Sequence, residues 1–320
     1  MVKRLFALWL SSLLWCSNAV AAPAPFPGKP VRIVLGFAPA GAVDTVIRAI
    51  AQAMGQDLGQ PVIVDNKPGA EGIIAAQEVQ RSAPDGYTLL VGSPTALVAV
   101  PLTRAKPPYD PFKDFTPIGL AGQFALVLVV ADNVPAKNVD ELLAHVSAHP
   151  GELNVAVSSA TSELAMHQLL GSRRVVGVRF KGDVPALTEL AGQRVQMMWA
   201  TGGSAQAFLK DGRVRALLTL QAQRSPLWPT VPTALEAGLG PIGVAPWIGL
   251  FGPAGMPTEV VDKLNRALEA ALASSEVRQK LAAQAFDATS MTPAQFSAYF
   301  RRQYDDFNRV VREHGLSLDP

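Results

Sequence analysis

Val31-Arg32-Ile33-Val34-Leu35, then Gly36-Phe37-Ala38-Pro39-Ala40-Gly41, then Ala42-Val43-Asp44 onward: this stretch decides the fold class. The first five residues are a short apolar run, read as a buried strand. The Gly- and Pro-bearing segment that follows is a turn. After it, Ile47, Ile50, Met54 and Leu58 recur three or four residues apart, one face of a helix that Gly59 stops. The unit repeats. Pro61-Val62-Ile63-Val64 reads as a second strand, a helix starts near Ile73 and ends at Pro84-Asp85-Gly86, and residues 87–91 read as a third strand. Strands alternating with helices predict an α/β domain on a parallel sheet covered on both faces.

A Pro-rich stretch at 106–117 separates this unit from the rest, and residues 124–130 form a long β-type run suited to carrying the chain into a second domain. The alternation then resumes: helix 139–149, strand 153–157, helix 163–170, strand 175–180, helix 184–191, strands 195–199 and 214–220. Residues 247–251 are again extended and apolar, a return to the first domain, and Val260, Leu264, Leu268 and Leu272 begin a helical tail. The expected organisation is two α/β lobes with a hinge of two crossing strands. The first lobe takes 22–123 plus 252–292, the second takes 124–251, and a C-terminal helix, 293–320, packs across both.

Length and composition agree. A chain of 320 residues suits two cores. Hydrophobic residues at 49% exclude a disordered chain, and a formal charge of +2 supplies no basic tail for nucleic acid. Residues 1–21 read as an export signal: Lys3 and Arg4, an apolar run at 5–15, and Ala19-Val20-Ala21 before the cleavage point. Trp15 is too bulky for lipoprotein processing at Cys16. Removing Lys3 and Arg4 from 28 basic residues balances the 26 acidic ones, and Cys16, the only cysteine, leaves with the signal. The mature chain then has no disulfide and no thiolate. With no later segment apolar enough to span a bilayer, the expected product is soluble and outside the cytoplasm.

Catalytic patterns are missing: no Walker-type loop, no Gly-x-Ser-x-Gly elbow and no His-Glu-x-x-His pair. Gly238-Leu239-Gly240-Pro241-Ile242-Gly243 matches G-x-G-x-x-G, but it follows a helical stretch read at 232–237 instead of a strand. His145 and His149 have helical metal spacing without an evident third ligand. No catalytic residue, metal or cofactor is expected.

An ordered set of motifs then resembles the extracytoplasmic solute-binding receptors of the tripartite tricarboxylate transporter family, the Bug receptors. Phe37-Ala38-Pro39-Ala40-Gly41-Ala42-Val43-Asp44 is similar to the family's Pro-Gly-Gly-x-x-Asp ligand loop, with Ala40 where Gly is usual. Asp65-Asn66-Lys67-Pro68-Gly69-Ala70-Glu71-Gly72 resembles its Asn-Arg-Pro-Gly-Ala-Gly-Gly segment, with Glu71 for a Gly. Pro84-Asp85-Gly86-Tyr87-Thr88-Leu89-Leu90, Phe180-Lys181-Gly182 and the Trp247-x-Gly249-Leu250-x-Gly252-Pro253 run follow in family order.

The resemblance implies a type II periplasmic-binding-protein fold whose lobes close over a small organic acid and present it to a membrane permease. Strand-to-helix turns suit such a ligand, because helix N-termini expose N–H groups and the positive dipole end. The candidate binding residues are Phe37, Ala38, Pro39, Ala40, Gly41 and Asp44 in the first lobe's turn, with Ser93 and Thr95 after the third strand. In the second lobe they are Ser158, Ser159, Thr161, Ser162, Phe180 and Lys181. Asp44 is assigned as N-cap and as acceptor for an amine or a bridging water. Carboxylates at Glu71 or Glu163, if cleft-facing, disfavour a second ligand carboxylate and point to a monocarboxylate, a zwitterion or an amide. A signalling partner in place of a permease, or an enzyme on the same fold, are the other readings.

Overall fold

The computed structural model describes residues 26–221, 223–239 and 246–314. The expected signal, Cys16 and most of the G-x-G-x-x-G match lie outside the described residues.

The chain runs β1 (Val31–Leu35), α1 (Ala42–Leu58), β2 (Val62–Asn66), α2 (Ile73–Gln80) and β3 (Thr88–Gly92). A π-helical turn (Thr95–Ala99) and the short α3 (Val100–Thr103) lead to β4 (Phe115–Phe124). Then follow β5 (Leu126–Ala131), α4 (Val139–Ala148), β6 (Asn154–Val157), α5 (Ala160–Leu170), β7 (Val176–Arg179), α6 (Asp183–Ala191), β8 (Met197–Thr201), α7 (Gly202–Lys210) and β9 (Val214–Thr219). The chain ends with β10 (Trp247–Pro253), α8 (Thr258–Ala273), α9 (Ser275–Ala282), β11 (Phe286–Ala288) and α10 (Pro293–His314). Residues 232–237 form a turn, with Thr233 bridging to Thr219, and not the helix expected there.

Two sheets result, in the orders β11-β4-β10-β3-β1-β2 and β7-β6-β8-β5-β9. β1 lies parallel between β2 and β3, and β6 lies parallel between β7 and β8, as the strand–helix alternation predicts. The remaining strands make both sheets mixed. β10 is antiparallel to β3 and β4, and β5 to β8 and β9. These are the strands beside the crossings, whose direction is set by the passage between lobes and not by a helical crossover.

β4 escaped the sequence reading because Pro117, Gly119 and Gly122 interrupt it. The structure shows why a strand tolerates them. Its pairing with β10 slips twice, and Gly122, at φ +143°, sits at one slip, where a Cβ would stand 2.2 Å from the Asp287 carbonyl. β10 lies wholly in the first sheet, so residues 247–251 belong there and not to the second lobe. The lobes meet where β4 gives way to β5 at Ala125, whose N–H donates to the Ala285 carbonyl and whose carbonyl accepts from Gly202 N–H.

Each lobe has a core of its own. Val31, Ile33, Leu35, Ile47, Ile50 and Met54 pack with Leu264 and Leu268 of α8, while Leu128, Val155, Leu187, Met197 and Trp199 fill the second lobe. α10 packs chiefly on β4 and the π-helical turn, both of the first lobe, instead of across both. Its Phe296 lies where a side chain at Gly249 would be, 2.2 Å from that residue's hypothetical Cβ. The Pro84-Asp85-Gly86-Tyr87 motif is structural: Tyr87 Oη accepts from Gly28 N–H at 2.8 Å, and its ring meets Phe26 edge-on at 5.0 Å.

A candidate carboxylate cleft between the lobes

Parallel strands end where their helices begin, and ligands of α/β folds bind beyond those strand ends. Between the lobes lies a cavity of about 360 Å³ lined by such ends. The starts of α1 (Gly41, Ala42, Val43), α5 (Ser159, Thr161), α6 (Asp183, Val184, Pro185) and α7 (Thr201, Ser204) all reach it. Phe37, Ala38, Ser93, Thr95, Ser158, Ser162 and Lys181 line it too, and Phe124, Leu126, Trp199 and Trp247 wall it.

Pro39, Ala40, Asp44 and Phe180, also expected at the ligand, are not among the lining residues. Phe180 packs against the second lobe's core. The N-cap of α1 is Gly41, not Asp44. Asp44 is only 4% exposed and turns inward, where its carboxylate accepts from Ala40 N–H at 3.0 Å, Arg48 Nε at 2.9 Å and Asn66 Nδ2 at 2.9 Å. Burial works against its charge. The hydrogen bonds from Arg48, Asn66 and Ala40 outweigh that penalty and hold the carboxyl below the usual carboxylate range. Asn66 also donates to the Phe37 carbonyl at 3.1 Å, so β2 holds the turn before α1 in place from behind.

The serine turn is equally occupied with its own helix. Ser159 is the N-cap of α5 and accepts from Ser162 N–H at 3.1 Å, while Ser162 Oγ accepts from Ser159 N–H at 3.0 Å. This reciprocal box uses both hydroxyls as acceptors, and Ser162 Oγ also donates to the Ser159 carbonyl at 2.8 Å. Thr161 and Ser158 are less committed: Ser158 Oγ has only a 3.4 Å contact with Ser162 Oγ.

Neither suspected glutamate lines the cavity. Glu163 places both carboxylate oxygens 2.9 Å from Arg179 Nη2, and Glu71 lies 3.3 Å from Arg104. The acid that does line it, Asp183, went unnoticed in the sequence, as did Thr201, Ser204 and Trp199. Asp183 Oδ2 accepts from Thr201 N–H at 2.8 Å and Thr201 Oγ1 at 2.6 Å. Its place at the start of α6, after Gly182 in the turn that follows β7, resembles the strand-to-helix turns already singled out, but its partner Thr201 is distant in sequence. Lys181 and Asp183 are the charged lining residues, and no histidine lines the cavity among the described residues. The His145 and His149 rings lie 4.4 Å apart elsewhere, tilted by 46°, and no cluster of three metal-ligating side chains occurs among the described residues. The indole N–H groups of Trp199 and Trp247 are buried with no hydrogen-bond partner among the described residues.

A family model described as the tripartite tricarboxylate transporter family receptor matches residues 46–316. The chain belongs to that family. BugT of Bordetella pertussis is 32% identical over 307 residues, covering 93% of this chain and 94% of its own. Among solved structures, MatC of Rhodopseudomonas palustris with bound malate is 35% identical with a TM-score of 0.78, over 89% of this chain and all of that one. Rpa4515 of R. palustris with adipate is 28% identical with a TM-score of 0.83, over 91% and 99%. Two α/β lobes about one cleft are the periplasmic-binding-protein architecture common to such receptors. Among the described residues no helix is long and apolar enough to cross a membrane.

Proposed function

We propose that this receptor is exported to the periplasm, captures a small organic acid in the interlobe cleft and hands it, as a monomer, to the membrane subunits of a tripartite transporter. The observation that carries the reading is the convergence of the N-termini of α1, α5, α6 and α7 on one cavity. Each brings unpaired N–H groups and about half a positive charge, a setting that favours a carboxylate without a dedicated arginine. The Thr161 and Ser158 hydroxyls add donors that a ligand oxygen can accept from. Malate and adipate in the two solved relatives fit this chemistry. Family membership and hydroxyl groups without a histidine beside them favour binding over turnover.

The test is thermal unfolding of the purified protein against mono-, di- and tricarboxylates, amino acids and amides. A ligand at a hundred times its dissociation constant adds about 2.7 kcal/mol, a shift of a few degrees. A shift confined to acids supports the reading. Absence of any shift, with native mass spectrometry showing an empty cleft, overturns it.

A further inference from the structure

Asp183 is hard to reconcile with a ligand that carries two carboxylates. It begins α6, its side chain borders the cavity, and its orientation is fixed because Thr201 donates to Oδ2 from both backbone and hydroxyl. Oδ1 accepts no hydrogen bond among the described residues. The only other charged lining residue is Lys181, which is exposed. The lining charges therefore cancel, and the two acids that could have added negative charge, Glu71 and Glu163, are paired to arginines away from the cavity. Beside the hydroxyls of Thr201 and Ser204, the lining offers apolar surface: Val184, Pro185 and Trp199 and, from the first lobe, Phe37 and Trp247.

Resting on the receptor reading above, we infer that the ligand is a zwitterion of amino-acid type, with one carboxylate, one ammonium group and an apolar body. Its carboxylate takes the helix starts, its ammonium donates to Asp183, and its body lies between the aromatic walls. A second carboxylate in place of the ammonium would meet Asp183 as a like charge in a partly desolvated cleft, where such repulsion is least screened.

Isothermal titration with matched pairs tests this: leucine against 4-methylpentanoate, and phenylalanine against 3-phenylpropanoate, with malate and adipate as dicarboxylate probes. The protein is the wild type and Asp183→Asn, whose amide oxygen can still accept from Thr201 and whose unfolding temperature checks that the fold is kept. The expected result is that at least one amino acid binds about 10- to 100-fold more tightly than its amine-free partner, the range of a charge-assisted hydrogen bond, and that Asp183→Asn removes the preference. Equal or tighter binding of the amine-free acids, or a preference that survives in Asp183→Asn, overturns the inference. Binding of malate or adipate alone overturns it too, while leaving the receptor reading standing. If no probe binds and native mass spectrometry shows an empty cleft, both fall. A co-purified molecule decides by its own chemistry: an apolar zwitterion supports the inference, and any other acid overturns it.

Discussion

The turns before α1 and α5 face each other across the cleft and look alike in sequence, each a small-residue strand-to-helix turn with an acid in the first helical turn. They are built oppositely. The α1 turn has no side-chain cap: Gly41 is its N-cap, and Asp44 reaches away from the cavity to Arg48, Asn66 and Ala40. The α5 turn spends its hydroxyls on a capping box and sends its acid, Glu163, to Arg179. The α1 turn is braced from outside by Asp44 and Asn66; the α5 turn pairs the N–H groups of Ser159 and Ser162 within itself. On the receptor reading proposed above, this difference makes the α1 turn the ligand's main anchor and the α5 turn a preformed wall.

The bracing is where the largest effect is expected. Asp44→Ala removes an acceptor shared by three donors in a buried site, a loss of about 2–3 kcal/mol, moderated because Arg48 is half exposed. Asp44→Asn places an amide against the same donors and falls in the same direction. The pH dependence carries a definite sign. The folded carboxyl lies below its unfolded value of about 3.9, so its contribution is present at neutral pH and is lost as pH falls below about 4, toward the folded value. Urea unfolding of wild type and Asp44→Asn should thus show a gap at pH 7 that narrows on acidification. A gap independent of pH would mean that Asp44 acts by packing alone.

The comparison itself breaks on a pair of substitutions. At Gly41 a new Cβ meets only the Ala38 carbonyl, at 3.7 Å, so the protein leaves room for the Cβ of Gly41→Val, and the larger side chain intrudes on the cavity that Gly41 lines. Its expected signature is a ligand affinity lower by about 10- to 200-fold, the scale of a misplaced methyl or two in a pocket. Ser159→Ala should do the reverse: about 1 kcal/mol of stability lost with the cap, roughly 2 °C in unfolding temperature, and affinity within about threefold. If Ser159→Ala instead loses affinity as Gly41→Val does, the two turns are equivalent anchors and the asymmetry is wrong.

The sequence pattern showed the lobes and the site unevenly, for physical reasons. Periodicity reports burial, so β1, α1 and β6, with their buried apolar residues, were readable directly. β4 was not, because a strand that slips register around Pro117 and Gly122 carries no period-2 signal. The turns at 38–44 and 158–163, expected at the ligand, each place some residues in the cavity lining, whereas Asp44 turns away to brace its own turn and Ser159 and Ser162 cap α5. A short polar side chain at a helix start serves equally for capping, bracing or binding, and only the partner's position decides. Asp183 was missed for a related reason: its neighbour Thr201 lies 18 residues on, at the end of β8, and no local pattern joins them.

The smallest expected effect sharpens the contrast in backbone terms. Ala40 lies at φ +64°, the left-handed region, and its N–H is held there by Asp44. An L-residue in that region costs about 1–2 kcal/mol, whereas glycine avoids the clash and gives back about 0.5–1 kcal/mol as extra freedom in the unfolded chain. Ala40→Gly should therefore stabilise by about 0.5 kcal/mol, the difference between those terms. Ser159 is fully extended at φ −161°, where glycine relieves nothing and the cap is lost, so Ser159→Gly should destabilise by a few tenths of a kcal/mol. The same replacement in two facing turns thus has opposite signs if strain is confined to the α1 side. Differential scanning calorimetry on both variants measures this directly, and a loss of stability in Ala40→Gly would mean that the bracing by Asp44, Arg48 and Asn66 depends on a backbone already restricted at residue 40.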